Sequence, residues 1–466
     1  MSEDNDIYFS EEETLSAVRR FEEMVTRGQS QYFDVVEFES IIDYYLDDEN
    51  TKQAALAVDY AYRMHPYSLE IQFRKAEMLA YDKRFDEALP LLERLERIDA
   101  GNVDYLFLEG QIWFGLGDFS KANLCFERSL ELVPYDIIEQ LYRISTFYLE
   151  VDEINLAIRY LLRAYSINPK QLGILFDIGY CYDRINDFDR SLKYYNQYLD
   201  INPFSAPVWY NVGIVYTKTG DFEKAIEAYD FCLAVDPGYA SAYYNKGNTL
   251  ASVERYAEAV GVFQDLLELE PENPRVLTLL GECFEKTENM DAALDCYNRA
   301  IAIDPEFADA HYGVGVIMAT RKEPHVGIQY IKKAIELDPE QYDFWLGLGK
   351  VNLDIENVEE ALNAYREAAT LNPDEPDAYL AMAEVYLFQE NFGEVERLFE
   401  ELGPKFEGIA SMNIINAAAL YLSHRRKEAL DALRAAKRID PDSLDDFFTL
   451  VSIINDDDFI NMTKLL

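Results

Sequence analysis

The residues of this 466-residue chain that could do chemistry are four histidines, five cysteines, two short glycine motifs and a large surplus of carboxylates. A metal centre needs His, Cys, Asp or Glu ligands at short, regular spacing. His65, His311, His325 and His424 are scattered, with no HExxH and no partner at helical spacing. Cys125, Cys181, Cys232, Cys283 and Cys296 are odd in number and contain no CxxC, so they read as small buried hydrophobes in a reducing compartment. Gly313-Val314-Gly315 and Gly347-Leu348-Gly349-Lys350 suggest a phosphate loop, yet no Ser or Thr follows Lys350 as that loop requires. With 87 Asp and Glu, any two could be named acid and base, so a pair means nothing without a cleft and a shifted pKa. No catalytic residue, metal ligand or cofactor is expected, and the chain is not read as an enzyme.

The elements that must position these residues come from a repeat. A phrase built on proline returns at Pro169, Pro203, Pro237, Pro271, Pro305, Pro339 and Pro373, each step being 34 residues. Pro66, Pro134 and Pro441 keep the same register across double steps, apart from one extra residue near Ile137 or Ile138. Ten residues after most prolines stands a small residue (Gly179, Gly213, Gly247, Gly281, Gly315, Gly349; Gly110 keeps the register without a proline), and twelve beyond it usually an alanine. Aromatics recur four positions later, at Phe126, Tyr195, Tyr229, Phe263, Tyr297 and Tyr365. Small residues on two helices let the backbones approach while the aromatic fills the next layer. The proline falls after the second helix, where its missing N–H breaks no bond.

Charge narrows the function. Lys and Arg number 42 against 87 acids, and 42 − 87 gives a net −45. Such a surface repels phosphate, which disfavours nucleic acid and anionic membranes alike. Hydrophobic residues at 49% and aromatics at 14% are far too many for a disordered acidic tail. The start, MSEDNDIYFSEEE, has neither the positive region nor the apolar core of a secretory signal. No apolar run is long enough to span a bilayer, and a cytoplasmic protein is expected.

Residues 206–239, APVWYNVGIVYTKTGDFEKAIEAYDFCLAVDPGY, resemble a near-consensus tetratricopeptide repeat through Trp209, Val212, Gly213, Tyr216, Ala225, Tyr229 and Pro237. In that register twelve repeats fill residues 35–443, with repeats 1, 4, 11 and 12 degenerate. Repeat 11 ends in LGPKFEGIAS, which implies a local distortion near residues 402–410. Residues 1–34 then hold an acidic segment and a capping helix, begun by Ser10 with Glu13 and stopped at Gly28. Residues 444–466 hold a second capping helix, Ser443 to Ile454, with Leu444, Phe447, Phe448 and Val451 on one face, and a tail. The resemblance implies an all-α, right-handed superhelical solenoid of antiparallel helix hairpins.

The resemblance further implies that first helices line an inner, ligand-holding face. One column of that face is Phe73, Phe107, Tyr142, Phe176, Tyr210, Tyr244 and, after Thr278, Tyr312. Two readings stand: packing between helices, or anchors for an extended or helical peptide. The next column holds Asp177, Asn211 and Asn245, and asparagine amides can hold a peptide backbone whatever its side chains. The family's lysine-rich clamp for a terminal carboxylate has no counterpart here. An acidic rim (Glu70, Asp104, Glu139, Asp309, Asp343, Asp377) suits a basic or amphipathic partner. The expected function is therefore a non-catalytic scaffold binding a protein segment in the groove of repeats 2 to 9. Two alternatives remain open: an acidic chaperone-like shield for basic proteins, and a platform self-associating through repeats 11 and 12.

Overall fold

The computed structural model describes residues 10–28, 30–402, 405, 406, 408–451, 459 and 463. Among them lie twenty-six helices and no strand. One helix, Glu11–Arg27, precedes twelve antiparallel pairs, and one, Leu444–Leu450, follows them. Repeat 1 pairs Val35–Asp47 with Thr51–Met64, repeat 6 pairs Ala206–Thr219 with Phe222–Val235, and repeat 12 pairs Ala410–Leu422 with Arg426–Ile439.

Each second helix forms for local reasons. In Phe222–Val235 the buried Ala225, Ile226, Ala228, Tyr229 and Cys232 recur every three or four residues, which is one helical face. Asp118, Asp187 and Asn289, all at the same register position, cap their helices by accepting the backbone N–H three residues on. The connecting turn reverses the chain with one left-handed residue per hairpin. Gly117 and Gly220 take that conformation without strain, but ten other turns use Glu49, Lys83, Asp152, Asn186, Glu254, Glu288, Lys322, Glu356, Glu390 and His424. The sequence reading had not identified this position.

The glycines of the repeat work as close-approach points. A Cβ on Gly213 would lie 2.4 Å from the Tyr229 ring, and one on Gly349 would lie 2.3 Å from the Tyr365 ring. The phosphate-loop appearance of Gly347 and Gly349 is thus a packing pattern inside the helix Tyr342–Asp354. A second device, found in four repeats, joins the first helix to the loop before it. Gln72, Trp209, His311 and Trp345 donate a side-chain N–H to the carbonyl of Pro66, Pro203, Pro305 and Pro339, at 3.1, 2.8, 2.9 and 2.9 Å. The proline carbonyl, turned out of helical register, needs such a donor.

The extra residue expected near Ile137 lengthens the first helix of repeat 4, Ile137–Glu150, to 14 residues against 13 in Leu172–Arg184. In repeat 11 the second helix, Phe392–Leu402, has 11 residues where Val358–Leu371 has 14. Beyond it Lys405 reaches back to the carbonyl of Pro373 and to Asp374, each at 2.7 Å, and Phe406 packs on Tyr379. The rest of the distortion expected there, at 403, 404 and 407, lies outside the described residues.

The chain separates into two compact units, Met1–Asn211 and Val212–Leu466. In the first, Ser10 and Glu13 form the expected reciprocal cap, and Gly28 ends the helix in the left-handed region. Phe21 of that helix is fully buried and meets Phe33, Phe38 and Tyr60 edge-on at 6.2, 6.3 and 5.7 Å. Burying such a ring contributes about 2 kcal/mol. In the second unit Phe447 is fully buried against Tyr421, at 6.0 Å, and Val451 joins the same cluster. That helix ends at Leu450, earlier than expected, and Ile454 lies outside the described residues. Within each unit successive first helices touch one another, as Val35–Asp47 touches Leu69–Tyr81 and Pro274–Lys286 touches Ala308–Thr320.

Candidate functional site

The side chains that most clearly mark a site are carboxylates. Among the described residues, every Asp or Glu whose carboxyl is raised above its ordinary range sits on a first helix. Loss of solvation is the leading cause at each. In the first unit these are Glu39, Asp43, Glu77 and Asp177. In the second they are Glu282, Glu285, Asp309 and Glu384. Glu282 and Glu384 keep an open surface, yet the neighbouring helices strip enough water from them to shift the proton equilibrium. Glu282 is pushed up to about 7, by desolvation first and then by Asp309 and Glu285. A face that is accessible and poorly hydrated is where a binding partner gains most.

In the first unit the predicted columns are knitted into their surroundings. The Phe176 ring lies edge-on to Tyr195 and Tyr198, at 6.0 and 6.5 Å. Asp177 accepts the Tyr142 hydroxyl, so one aromatic of the column is tied to the polar residue of the next repeat. Asn211 donates its amide to the Tyr195 hydroxyl at 3.3 Å, and Tyr210 beside it is half-buried. The acidic rim is partly neutralised, Asp104 pairing with Arg143 at 2.5 Å while that guanidinium stands 4.1 Å from the Phe107 ring centre. A cavity of about 380 Å³ opens between repeats 2 and 3, lined by Glu77, Tyr81, Lys83, Phe85 and Gln111 among others.

In the second unit Tyr244 and Asn245 share the helix Ala240–Ser252, both half-buried, with the Arg275 guanidinium 5.7 Å from the Tyr244 ring centre. Tyr312 stacks on Phe344 at 4.9 Å, and its hydroxyl lies where a Cβ on Gly347 would approach to 2.5 Å. The aromatic column therefore packs between helices, with Phe107 buried and the other six side chains half-buried. A cavity of about 490 Å³ begins at Tyr312 and runs over repeats 10 and 11, past Gly347, Lys350, Asp354, Tyr365 and Glu384.

The sequence places Tyr312 in the aromatic column, Asp377 on the acidic rim and Lys350 after a pair of glycines. It does not connect them, and it does not single out Asp354 and Glu384. One signal was available. The column that holds Asp177, Asn211 and Asn245 continues as Leu279, Gly313, Gly347 and Ala381; the two glycines admit the Tyr297 and Tyr312 side chains, and Gly347 and Ala381 line the cavity. Among the described residues no helix is long and apolar enough to cross a membrane.

Comparison with known proteins gives a consistent result. Models described as tetratricopeptide repeat match residues 41–103, 172–205, 206–239 and 246–306, and one described as TPR repeat matches 353–389. No curated protein matches the chain. Among solved structures, YrrB, described as a TPR protein with an unusual peptide-binding site, is 26% identical; the match covers 40% of this chain and 95% of that one, with a TM-score of 0.32. A tetratricopeptide repeat protein from Parabacteroides merdae is 18% identical over 53% of this chain and 97% of its own, with a TM-score of 0.43. The APC/C hetero-tetramer Cut9–Hcn1 is 14% identical over 90% and 92%, with a TM-score of 0.40. On the evidence of the repeat models and of the hairpins whose glycines and aromatics interlock as that repeat requires, the chain belongs to the tetratricopeptide repeat family.

Proposed function

We propose that the protein is a non-catalytic scaffold that holds an extended or helical segment of a partner protein against its first helices. The observation that carries this reading is the confinement, among the described residues, of the raised carboxyls to those helices, in both units. Ionised groups left short of water on an open face are stabilised by an incoming cation, so the partner segment is basic or amphipathic. In the first unit Phe176 and Tyr210 serve as anchors, with Asp177 and Asn211 as polar contacts. In the second Tyr244 and Tyr312 anchor, beside Asn245. The net charge of −45 would speed encounter at low salt. Five buried thiols, none in a disulfide, accord with a cytoplasmic setting.

The test is purification of the tagged protein from its own host after crosslinking at physiological salt, beside a Tyr210→Ala/Asn211→Ala/Asn245→Ala variant checked for helicity. Loss of one or two specific partners from the variant supports the scaffold reading. A broad set of basic proteins, indifferent to the variant and released by modest salt, replaces it with the acidic-shield reading.

A further inference from the structure

Four second helices carry a tyrosine at one register position, each packed against a glycine of its own hairpin: Tyr195, Tyr229, Tyr297 and Tyr365. All four rings are buried, the first three at 1% exposure and Tyr365 at 3%. A buried phenol normally finds a hydrogen-bond partner, because leaving the group unpaired costs its desolvation. Two positions supply that partner. One is near the end of the same hairpin's first helix, where Thr217 meets Tyr229 at 3.1 Å and Glu285 meets Tyr297 at 2.6 Å. The other is on the next first helix, where Asn211 meets Tyr195 at 3.3 Å.

For Tyr365 the same two positions hold Leu353 and Ala381, and neither side chain can bond a hydroxyl. No described residue hydrogen-bonds the Tyr365 hydroxyl, whose oxygen is not sealed in the core but opens onto a cavity, and where a hydroxyl has no use the register position accepts phenylalanine, as at Phe126 and Phe263. Leu353, Ala381 and Tyr365 all line the cavity of about 490 Å³. Asp354 and Glu384 enter it from different helices, and both lie near enough to Tyr365 to hold its phenol up at about 12, after the larger effect of burial. Neither carboxylate makes an ion pair with any described residue, nor does Asp377 at the rim or Lys350, so three acids face one ammonium.

We propose that this cavity receives an arginine side chain of the partner protein, its guanidinium set between Asp354 and Glu384 and donating to the Tyr365 hydroxyl oxygen. The inference rests on the scaffold reading and names the residue type that repeats 9 to 11 select. A guanidinium is planar, carries five donors and no acceptor, and is weakly hydrated. The cavity offers the complement: two unpaired carboxylates, an unpaired phenol oxygen and the ring of Tyr312, over which a cation is attracted. An amide or hydroxyl ligand would satisfy Tyr365 but leave the carboxylates uncompensated.

The test uses the full-length chain and two dye-labelled, end-blocked peptides that differ only at a central arginine or its neutral isostere citrulline, titrated with fluorescence anisotropy as the readout. The arginine peptide is expected to bind about tenfold more tightly than the citrulline peptide, the usual advantage of charge-assisted pairing. Asp354→Asn and Glu384→Gln should each weaken it about threefold to tenfold. Tyr365→Phe should weaken it by a similar factor while leaving the unfolding midpoint unchanged or raised. Removing two remote acids, Glu131→Gln with Glu153→Gln, should change nothing, which separates the cavity from the general field of an acidic chain. Equal binding of the two peptides, or indifference of the arginine peptide to the Asp354→Asn/Glu384→Gln pair, overturns the proposal. If the host partner is still captured in that case, the scaffold reading stands and only this assignment falls.

Discussion

Tyr297 and Tyr365 share register, burial and a glycine neighbour, and differ in one hydrogen bond. Tyr297→Phe removes the donor to Glu285 and leaves that carboxylate short of water, so it should destabilise by about 1–2 kcal/mol. Tyr365→Phe removes a hydroxyl that no described residue satisfies and should cost nothing or stabilise slightly. Urea unfolding of both variants beside the parent checks the pair, and equal losses would contradict the reading. His311 supplies the second test at this scale. Its Nε2 bonds the Pro305 carbonyl as the indoles of Trp209 and Trp345 bond theirs, but its Nδ1 is buried without a partner. The acceptor is a carbonyl, so the proton is assigned to Nε2. His311→Trp keeps the donor and deletes the orphan, and a gain of about 1 kcal/mol in urea unfolding is expected.

At the scale of the element, the hairpin turn sets the cost. Glu288 sits at φ 62 with nothing but its turn to hold it there, where Gly220 occupies the matching position in repeat 6 at φ 77. A side chain in the left-handed region costs about 1–2 kcal/mol, part of which glycine returns through its greater freedom when unfolded. Glu288→Gly should therefore raise stability by about 0.5–1 kcal/mol, read as a higher melting temperature with the same m-value. A fall in stability would show that the Glu288 side chain contributes more than its backbone strain. The hairpins themselves were legible because each one repeats Gly–aromatic contacts, such as Gly213 on Tyr229, within 34 residues of chain. The left-handed turn residue was not, since the glutamates and lysines that fill most of those turns carry no turn signature of their own.

At the scale of the molecule, stability should respond to acidification in a direction set by the first helices. Glu282 holds its proton more tightly folded, at about 7, than at its ordinary 4.5, so between those values the native state binds more protons than the unfolded chain. Stability then falls as pH rises through that window and is flat in this contribution above it. Glu39, Asp43, Glu77, Asp177, Glu285, Asp309 and Glu384 shift in the same direction and add to it. Glu282→Gln removes the penalty of ionisation and should stabilise at pH 8 by up to about 1 kcal/mol, solvent screening of its open surface keeping the gain small. The difference from the parent should vanish near pH 5, which chemical denaturation at the two pH values measures. A gain of equal size at both would place its origin elsewhere than in the charge.

What the sequence determined by itself is the periodic part of the protein. Prolines in steps of 34, with glycine and aromatic at constant offsets, were enough to assign each helix its place in a hairpin. A repeat touches only its neighbours, so the pattern within one unit already contains most of its packing. The aromatic column from Phe73 to Tyr312 was legible for the same reason, as was the extra residue in repeat 4. The three-dimensional structure decided what depends on the absence of a contact. Tyr365 looks like Tyr229 and Tyr297 along the chain, and no described residue pairs its hydroxyl, Leu353 and Ala381 occupying the two places that supply the partner in other repeats. Those places lie on two different helices, so no spacing along one of them records their convergence.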